Sequence, residues 1–194
     1  MEIGATKAVQ DRLKTTKIEE SKGASLVFCW DTHLTKIKGR NVLFIVNASN
    51  RYTIAMTDIE PRNWNYYAMY IIRVIHGMMQ EMGYSEEQIE QYFKMSGDTT
   101  ITKTHGRKSV GGINRMVMDA QYFGKKLEKE AKYQWELSEY LNRDICQPEG
   151  FDTYGYPSEL FKLDMERLGI AAKRKPAKII DFTKYIDTNR STNH

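Results

Sequence analysis

Apolar and polar residues alternate like β-strands in the first third of the chain. A short strand is predicted at Glu2 to Ala5, and further strand patterns cover 25–30, 33–38, 42–47 and 51–57. Gly39-Arg40-Asn41 and residues 48–50 have the composition of tight turns. Parallel strands need longer connections, so the pattern predicts an antiparallel meander, which a short strand at 99–104 would join.

One short helix is predicted early in the chain, since Thr6 suits a helix start and the pattern runs to about Lys14. After residue 60 helical spacing of apolar residues replaces strand alternation. Pro61 suits the first turn of a helix that Gly83 would end. Ser85 and Gln88 have the spacing of a capping box, which predicts another helix start.

The second half of the chain is predicted to be mainly helical. A long helical pattern runs from Ser109 towards Ile145, and its apolar stripe extends beyond the length that one compact domain could cover. A short helix from Ser158 to Gly169 and a last strand at 178–186 would follow.

These elements predict the α+β class. The expected architecture is an antiparallel β-meander of about five strands packed against helices, with a long helix leading to a C-terminal extension. Residues 1–130 would form the core domain, and residues 131–194 a helical and basic extension.

Composition limits the class of protein. Apolar residues make up 41% and charged residues 28% of the 194 residues, which is typical of a globular protein and argues against disorder. No window approaches the roughly 18 apolar residues of a membrane helix, and the N-terminus lacks a signal-peptide pattern. We therefore expect a protein of the bacterial cytoplasm that makes no membrane contact.

The few cysteines and histidines predict neither a disulfide framework nor a metal site. Cys29 and Cys146 lack the spacing of a zinc motif, and His33, His76 and His194 show no ligand spacing. Cys29 lies in an apolar strand, where a thiol is usually inert. No cofactor and no metal are expected.

Positive charge is concentrated in two stretches. The net charge of +4 is a weak signal, but residues 103–115 and 170–178 contain no acid. The first stretch carries Lys103, Arg107, Lys108 and Arg115 together with His105, and the second carries Lys173, Arg174, Lys175 and Lys178.

The first basic stretch, T-K-T-H-G-R-K-S, joins a predicted strand to a predicted helix. Backbone N–H groups at a helix start attract phosphate, and the neighbouring cations would strengthen that attraction. His105 could also act as acid or base in a metal-independent ribonuclease. The alternative is a basic turn in solvent in which His105 forms local hydrogen bonds.

Two other features have a binding and a structural interpretation. Lys173, Arg174 and Lys175 could contact nucleic acid, although a basic run is more often solvated. The hairpin residues Asn47, Asn50, Arg51 and Tyr52 could form a binding lip, but the composition favours ordinary turn chemistry.

Several segments resemble an uncharacterised family of Gram-positive plasmid and phage proteins. They are G-A-T-K at Gly4 to Lys7, F-C-W at Phe28 to Trp30, V-N-x-x-x-R-Y at Val46 to Tyr52 and T-K-T-H-x-R at Thr102 to Arg107, and the resemblance covers about residues 1–130. It implies a mobile-element context, in which anti-defence proteins such as anti-CRISPRs are frequent. That implication is one of association.

We therefore expect an accessory protein that binds nucleic acid, with RNA favoured, or an RNA-guided effector complex, most concretely as an anti-CRISPR-like inhibitor. The binding residues would be Lys103, Arg107, Lys108, Arg115, Lys173, Arg174 and Lys175. Two alternatives are a ribonuclease that uses His105 and a protein-interaction module. The latter could be a homodimer built on the long helix beyond Leu127.

Overall fold

The computed structural model describes residues 1–13 and 18–172. Its strands are β1 (Glu2–Ala5), β2 (Cys29–Ile37), β3 (Arg40–Asn47), β4 (Thr53–Thr57) and β5 (Thr100–Thr102), and they form one sheet in the order β4-β3-β2-β1-β5. The helices in the described residues are α1 (Lys7–Leu13), α2 (Pro61–Asn65), α3 (Tyr67–Glu81), α4 (Glu86–Ser96), α5 (Gly106–Gln121), α6 (Trp135–Asn142) and α7 (Pro157–Arg167). The predicted α+β class is confirmed.

The sheet is mixed rather than a simple meander. β2, β3 and β4 pair antiparallel, as predicted, but β1 pairs parallel with both β2 and β5. The chain passes from β1 to β2 through α1, and a crossover of this kind is what parallel pairing requires. The segments predicted as strands at 25–30 and 33–38 form a 3-10 turn at Leu26–Phe28 and the single strand β2.

A two-residue turn joins β2 to β3. Ile37 pairs with Arg40, and the residues between them, Lys38 and Gly39, have φ of 49° and 81°. Positive φ at both central positions is the geometry of a type I′ turn, whose twist matches that of the strands. The turn therefore begins one residue before the predicted Gly39-Arg40-Asn41.

Helices cover both faces of the sheet. Along β3, Leu43 and Ile45 lie in one hydrophobic cluster with residues of α3, α4 and α7, whereas Val42, Phe44 and Val46 lie in a second cluster with residues of α5 and α6. Successive strand residues point to opposite faces. This two-sided burial explains why β3 is a continuous apolar run.

The long helix expected from Ser109 towards Ile145 is two helices. α5 ends at Gln121, and residues 122–134 are irregular before α6 begins. The Lys38 ammonium donates to the carbonyl oxygens of Phe123 and Lys125, the latter at 2.7 Å. The cation thus satisfies acceptors just beyond the helix end, where positive charge is favourable.

Helix α7, near the end of the described chain, packs into the same hydrophobic cluster as β2, α3 and α4. Phe161 and Met165 of α7 are buried in the same cluster as Trp30 of β2, and the rings of Trp30 and Phe161 lie 6.1 Å apart. The predicted start of α4 is confirmed, because Ser85 and Gln88 form a complete capping box. The strand predicted at 178–186 lies outside the described residues.

Side chains of α6 complete the hydrogen bonds of the edge strand β4. Asn142 Oδ1 accepts from Thr53 N at 2.8 Å, and its Nδ2 donates to Thr53 O at 2.8 Å. One turn earlier, Ser138 Oγ accepts from Ala55 N at 3.0 Å. All of these groups are buried, so removing them would leave unpaired backbone atoms.

We expect Asn142→Ala to lower the free energy of unfolding by about 2–4 kcal/mol, because it leaves both the N–H and the C=O of Thr53 without a partner. Chemical denaturation would measure the change. The matched control is Asn65→Ala, at an exposed position on α2, which should cost less than about 0.5 kcal/mol. Equal effects of the two substitutions would contradict this role of Asn142.

Candidate functional site

The Asp31 carboxylate holds the turn between β5 and α5 against the sheet. Its oxygens accept from the backbone N–H of His105 at 3.2 and 3.3 Å, and Oδ1 also lies 2.7 Å from His105 Nδ1. The Ser109 hydroxyl, one turn into α5, donates to Oδ2. A carboxylate is stabilised at the positive end of a helix. The buried Asp31 side chain therefore occupies the anion-binding position at the start of α5.

His105 is enclosed between two carboxylates. Its Nε2 lies 2.9 Å from Glu2 Oε2, opposite the contact of Nδ1 with Asp31, and its side chain is only 3% exposed. Burial opposes the charged form, but the hydrogen bond to Asp31 and the neighbouring Cys29 sulfur raise the imidazole pKa to about 10. With both ring nitrogens engaged, this geometry gives His105 a positioning role.

Glu2 is fixed by donors from the loop before β2. Its oxygens accept from Ser21 Oγ at 2.6 Å and from Lys22 N at 2.8 Å. Burial alone would raise the pKa of Glu2, but these donors and His105 lower it, so the carboxylate stays ionised. The contacts link β1, the loop and the β5–α5 turn.

A close approach at Gly4 makes this arrangement possible. A Cβ at Gly4 would lie 1.8 Å from Asp31 Oδ1 and 3.1 Å from His105 Nδ1. Asp31 has no exposed surface and cannot move aside without breaking its hydrogen bonds. The absence of a side chain at Gly4 therefore leaves room for the Asp31–His105 pair.

Three cations from two separate segments line one surface cavity of about 220 Å³ beside α5. They are Arg51, from the loop between β3 and β4, and Lys108 and Arg115 of α5; we call this group the basic α5 surface. Gly111 and Gly112 form part of the lining between them, and Glu149 is the acid in the lining. Spacing along the sequence does not connect Arg51 with the α5 cations, because 56 residues separate Arg51 from Lys108.

The contacts of these cations leave charge available to a ligand. Arg51 donates to Gly112 O at 2.9 Å and Lys108 to Pro148 O at 3.3 Å, so both bond to neutral carbonyl groups. Arg115, whose side chain is exposed, pairs at 3.1 Å with Asp119 four residues later, which is partly buried; helical pairs of this spacing contribute about 0.3–0.5 kcal/mol when exposed.

The backbone of the β3–β4 loop directs Arg51 towards the cavity. Arg51 has φ of 61°, a left-handed conformation that side chains other than Gly, Asn and Asp rarely adopt. Asn47 Oδ1 accepts from Ser49 N at 3.0 Å, and Asn50 Oδ1 accepts from Tyr52 N at 2.9 Å. The two asparagines thus form the turn bonds that the composition predicts, and Asn47 lines the cavity together with Arg51.

The remaining predicted cations lie elsewhere. Lys103 pairs with Glu20 on the surface. Arg107 is exposed in the first turn of α5 and forms no ion pair or hydrogen bond with another described residue. Lys173, Arg174 and Lys175 lie outside the described residues.

Sequence reasoning did not find Glu2 and Asp31 as partners of His105. A signal was present, since each acid lies in an apolar strand segment, E-I-G-A and F-C-W-D. An ionised side chain at such a position requires a buried partner. The pattern did not show which residue that partner would be.

The fold and site define an α+β protein with a buried carboxylate–histidine network beneath a basic cavity. The chain belongs to the family described as Domain of unknown function (DUF6933), whose model matches residues 2–160. No curated protein and no solved structure matches the chain significantly. None of the helices in the described residues is long and apolar enough to cross a bilayer.

We expect Gly4→Ala to lower the free energy of unfolding by at least about 3 kcal/mol, because the new methyl group would overlap Asp31. Gly77→Ala is the matched control, since a Cβ at this helical position meets no atom within 4 Å. That substitution should stabilise the protein by about 0.5–1 kcal/mol. Thermal and denaturant unfolding of both variants would measure the difference, and a neutral effect at Gly4 would contradict the close approach.

Proposed function

We propose that this protein binds a phosphate-bearing partner, a nucleic acid or a nucleoprotein complex, through the basic α5 surface. The observation that carries the proposal is the convergence of Arg51, Lys108 and Arg115 on one cavity. Arg51 and Lys108 bond to carbonyl groups, and Arg51 also contacts the Cys146 thiol. Arg115 pairs with the carboxylate of Asp119. Cations with contacts of this kind can exchange them for phosphate oxygens at small cost. Among phosphate-bearing ligands, RNA is the one that we favour, as expected from the sequence.

The glycine pair supports the same proposal. Gly111 and Gly112 lie between Lys108 and Arg115 along α5, so no side chain separates these two cations where the helix backbone lines the cavity. A Cβ at Gly112 would lie 3.1 Å from Arg51 Nε, which shows how closely Arg51 approaches the helix. At Gly111 a Cβ would meet no atom within 4 Å, so the helix backbone there is open to a ligand.

The buried network would support the site indirectly. Asp31 fixes both the start of α5 and the Ser109 hydroxyl, and Ser109 itself contributes to the cavity lining. His105 stands behind this wall, in contact with Glu2 and Asp31. A ribonuclease mechanism would require the imidazole to leave both carboxylates and reach the surface, so binding without cleavage is the better-supported role.

Substitution of two cavity cations tests the proposal. We expect Lys108→Glu combined with Arg115→Glu to weaken binding of a labelled single-stranded RNA at least about 10-fold and to reduce the salt dependence of binding, because phosphate contacts are lost. Fluorescence anisotropy across a salt series would measure both effects.

The matched control for this experiment is Lys94→Glu combined with Lys126→Glu, which changes the net charge equally at exposed positions outside the cavity. It should retain affinity within about 3-fold. Equal losses in the two double variants would contradict a localised site, and no RNA binding by the wild-type chain would contradict the RNA proposal. Denaturing gels of the same samples in EDTA would reveal cleavage, which would favour the ribonuclease alternative.

An anti-CRISPR-like role stays a prediction from the mobile-element context. If the basic α5 surface engages an RNA-guided effector, the wild-type chain should inhibit DNA cleavage by such a complex, and the Lys108/Arg115 double variant should inhibit less. Equal inhibition by the wild type and the double variant would show that inhibition does not depend on the cavity cations.

A protein-interaction module is favoured by a different observation. An open apolar groove of about 530 Å³ lies between α2, the start of α3 and β5, and its lining includes Trp64, Met69, Ile72 and Tyr66, which is 73% exposed. Apolar association weakens little as salt rises, whereas phosphate binding weakens steeply. The homodimer stays a prediction, although the long helix on which it was based is interrupted after Gln121.

A further inference from the structure

The buried network contains three donor groups that metal ions bind. The carboxylate of Glu2, the thiol of Cys29 and the imidazole of His105 have ligand atoms within 4.8 Å of one another, and all three residues are buried. They come from β1, the start of β2 and the β5–α5 turn. Short-range spacing in the sequence could not reveal them, because each belongs to a different segment.

The separation of these donors suits a small tetrahedral ion. His105 Nε2 and Glu2 Oε2 lie 2.9 Å apart. Nitrogen and oxygen ligands about 2.0–2.1 Å from a tetrahedral zinc ion are about 3.3 Å apart, and a sulfur ligand lies about 3.6 Å from either. Small side-chain shifts would therefore open the site. A thiolate combined with imidazole and carboxylate is a donor set for zinc rather than for magnesium or calcium.

Independent contacts orient two of the three donors, His105 and Glu2. Asp31 Oδ1 engages His105 Nδ1 at 2.7 Å, which directs Nε2 towards Glu2. A carboxylate on the far nitrogen of a histidine ligand is the usual outer-shell partner in zinc sites. Glu2 is oriented by Ser21 and Lys22 through the bonds described above. The Cys29 thiol donates to Ser25 O at 3.5 Å, and this bond would be lost when the thiol gives up its proton to bind an ion.

We infer that Glu2, Cys29 and His105 form a binding site for a thiophilic divalent cation, with zinc as the ion that the donor set favours. Binding would replace the hydrogen bond between His105 Nε2 and Glu2, and the Nε2 and Cys29 protons would be released to solvent. Three protein ligands leave a fourth position for water. The ion would join β1, β2 and the β5–α5 turn, and this inference is independent of RNA binding.

Cobalt titration of the chelator-treated full chain tests the inference. Co²⁺ should bind with one ion per chain and produce a thiolate-to-cobalt charge-transfer band in the near ultraviolet, and Zn²⁺ should abolish the band by displacement. Cys29→Ser should lose the band. The matched control is Cys146→Ser, at the other buried cysteine, which lies outside the donor cluster and should keep it.

A second variant distinguishes loss of the metal site from loss of the fold. Glu2→Gln retains the size of the side chain, and we expect it to weaken Zn²⁺ binding more than about 10-fold in a competition assay with a chromogenic chelator, while circular dichroism reports an intact fold. The inference is overturned if the wild-type chain gives no charge-transfer band. It is equally overturned if the band survives in Cys29→Ser, or if Glu2→Gln binds zinc as tightly as the wild type.

Discussion

The structure depends on one buried contact, that between the Asp31 carboxylate and the turn that begins α5. Asp31 is the residue through which β2 fixes the backbone of His105, its imidazole and the Ser109 hydroxyl together. A buried carboxylate is costly to desolvate, so it is stable only while each of these donors is in place. The position of α5, and therefore of its surface cations, follows from an interaction in the interior.

Local chemistry accounts for the elements that the sequence predicted. The Ser85–Gln88 capping box and the positive φ of Gly39 and Gly83 each depend on residues a few positions apart. The apolar run of β3 can likewise be interpreted from the segment alone, because a strand that is buried on both faces is apolar at successive positions. Such features can be inferred because the physical cause and its effect lie within one segment.

Features that depend on distant residues were not predictable in the same way. The parallel pairing of β1 requires the α1 crossover, and the carbonyl groups just after α5 are satisfied by Lys38 from the β2–β3 turn. In the candidate site, the spacing of Lys108 and Arg115 on one helix already predicts proximity. The addition of Arg51 does not follow from spacing, because it depends on how the β3–β4 loop packs against α5.

The hydrogen bonds between α6 and β4 also limit how another polypeptide can pair with the edge of the sheet. Asn142 and Ser138 occupy the backbone groups of Thr53 and Ala55 that an added strand would use. On the opposite edge, β5 is only three residues long, and Glu19 already bridges to Thr102 there. Within residues 1–13 and 18–172, neither edge therefore offers an extended peptide a long run of free backbone groups, which disfavours recognition through added strands. The surfaces that this arrangement leaves for recognition are the side chains on the helical faces and loops.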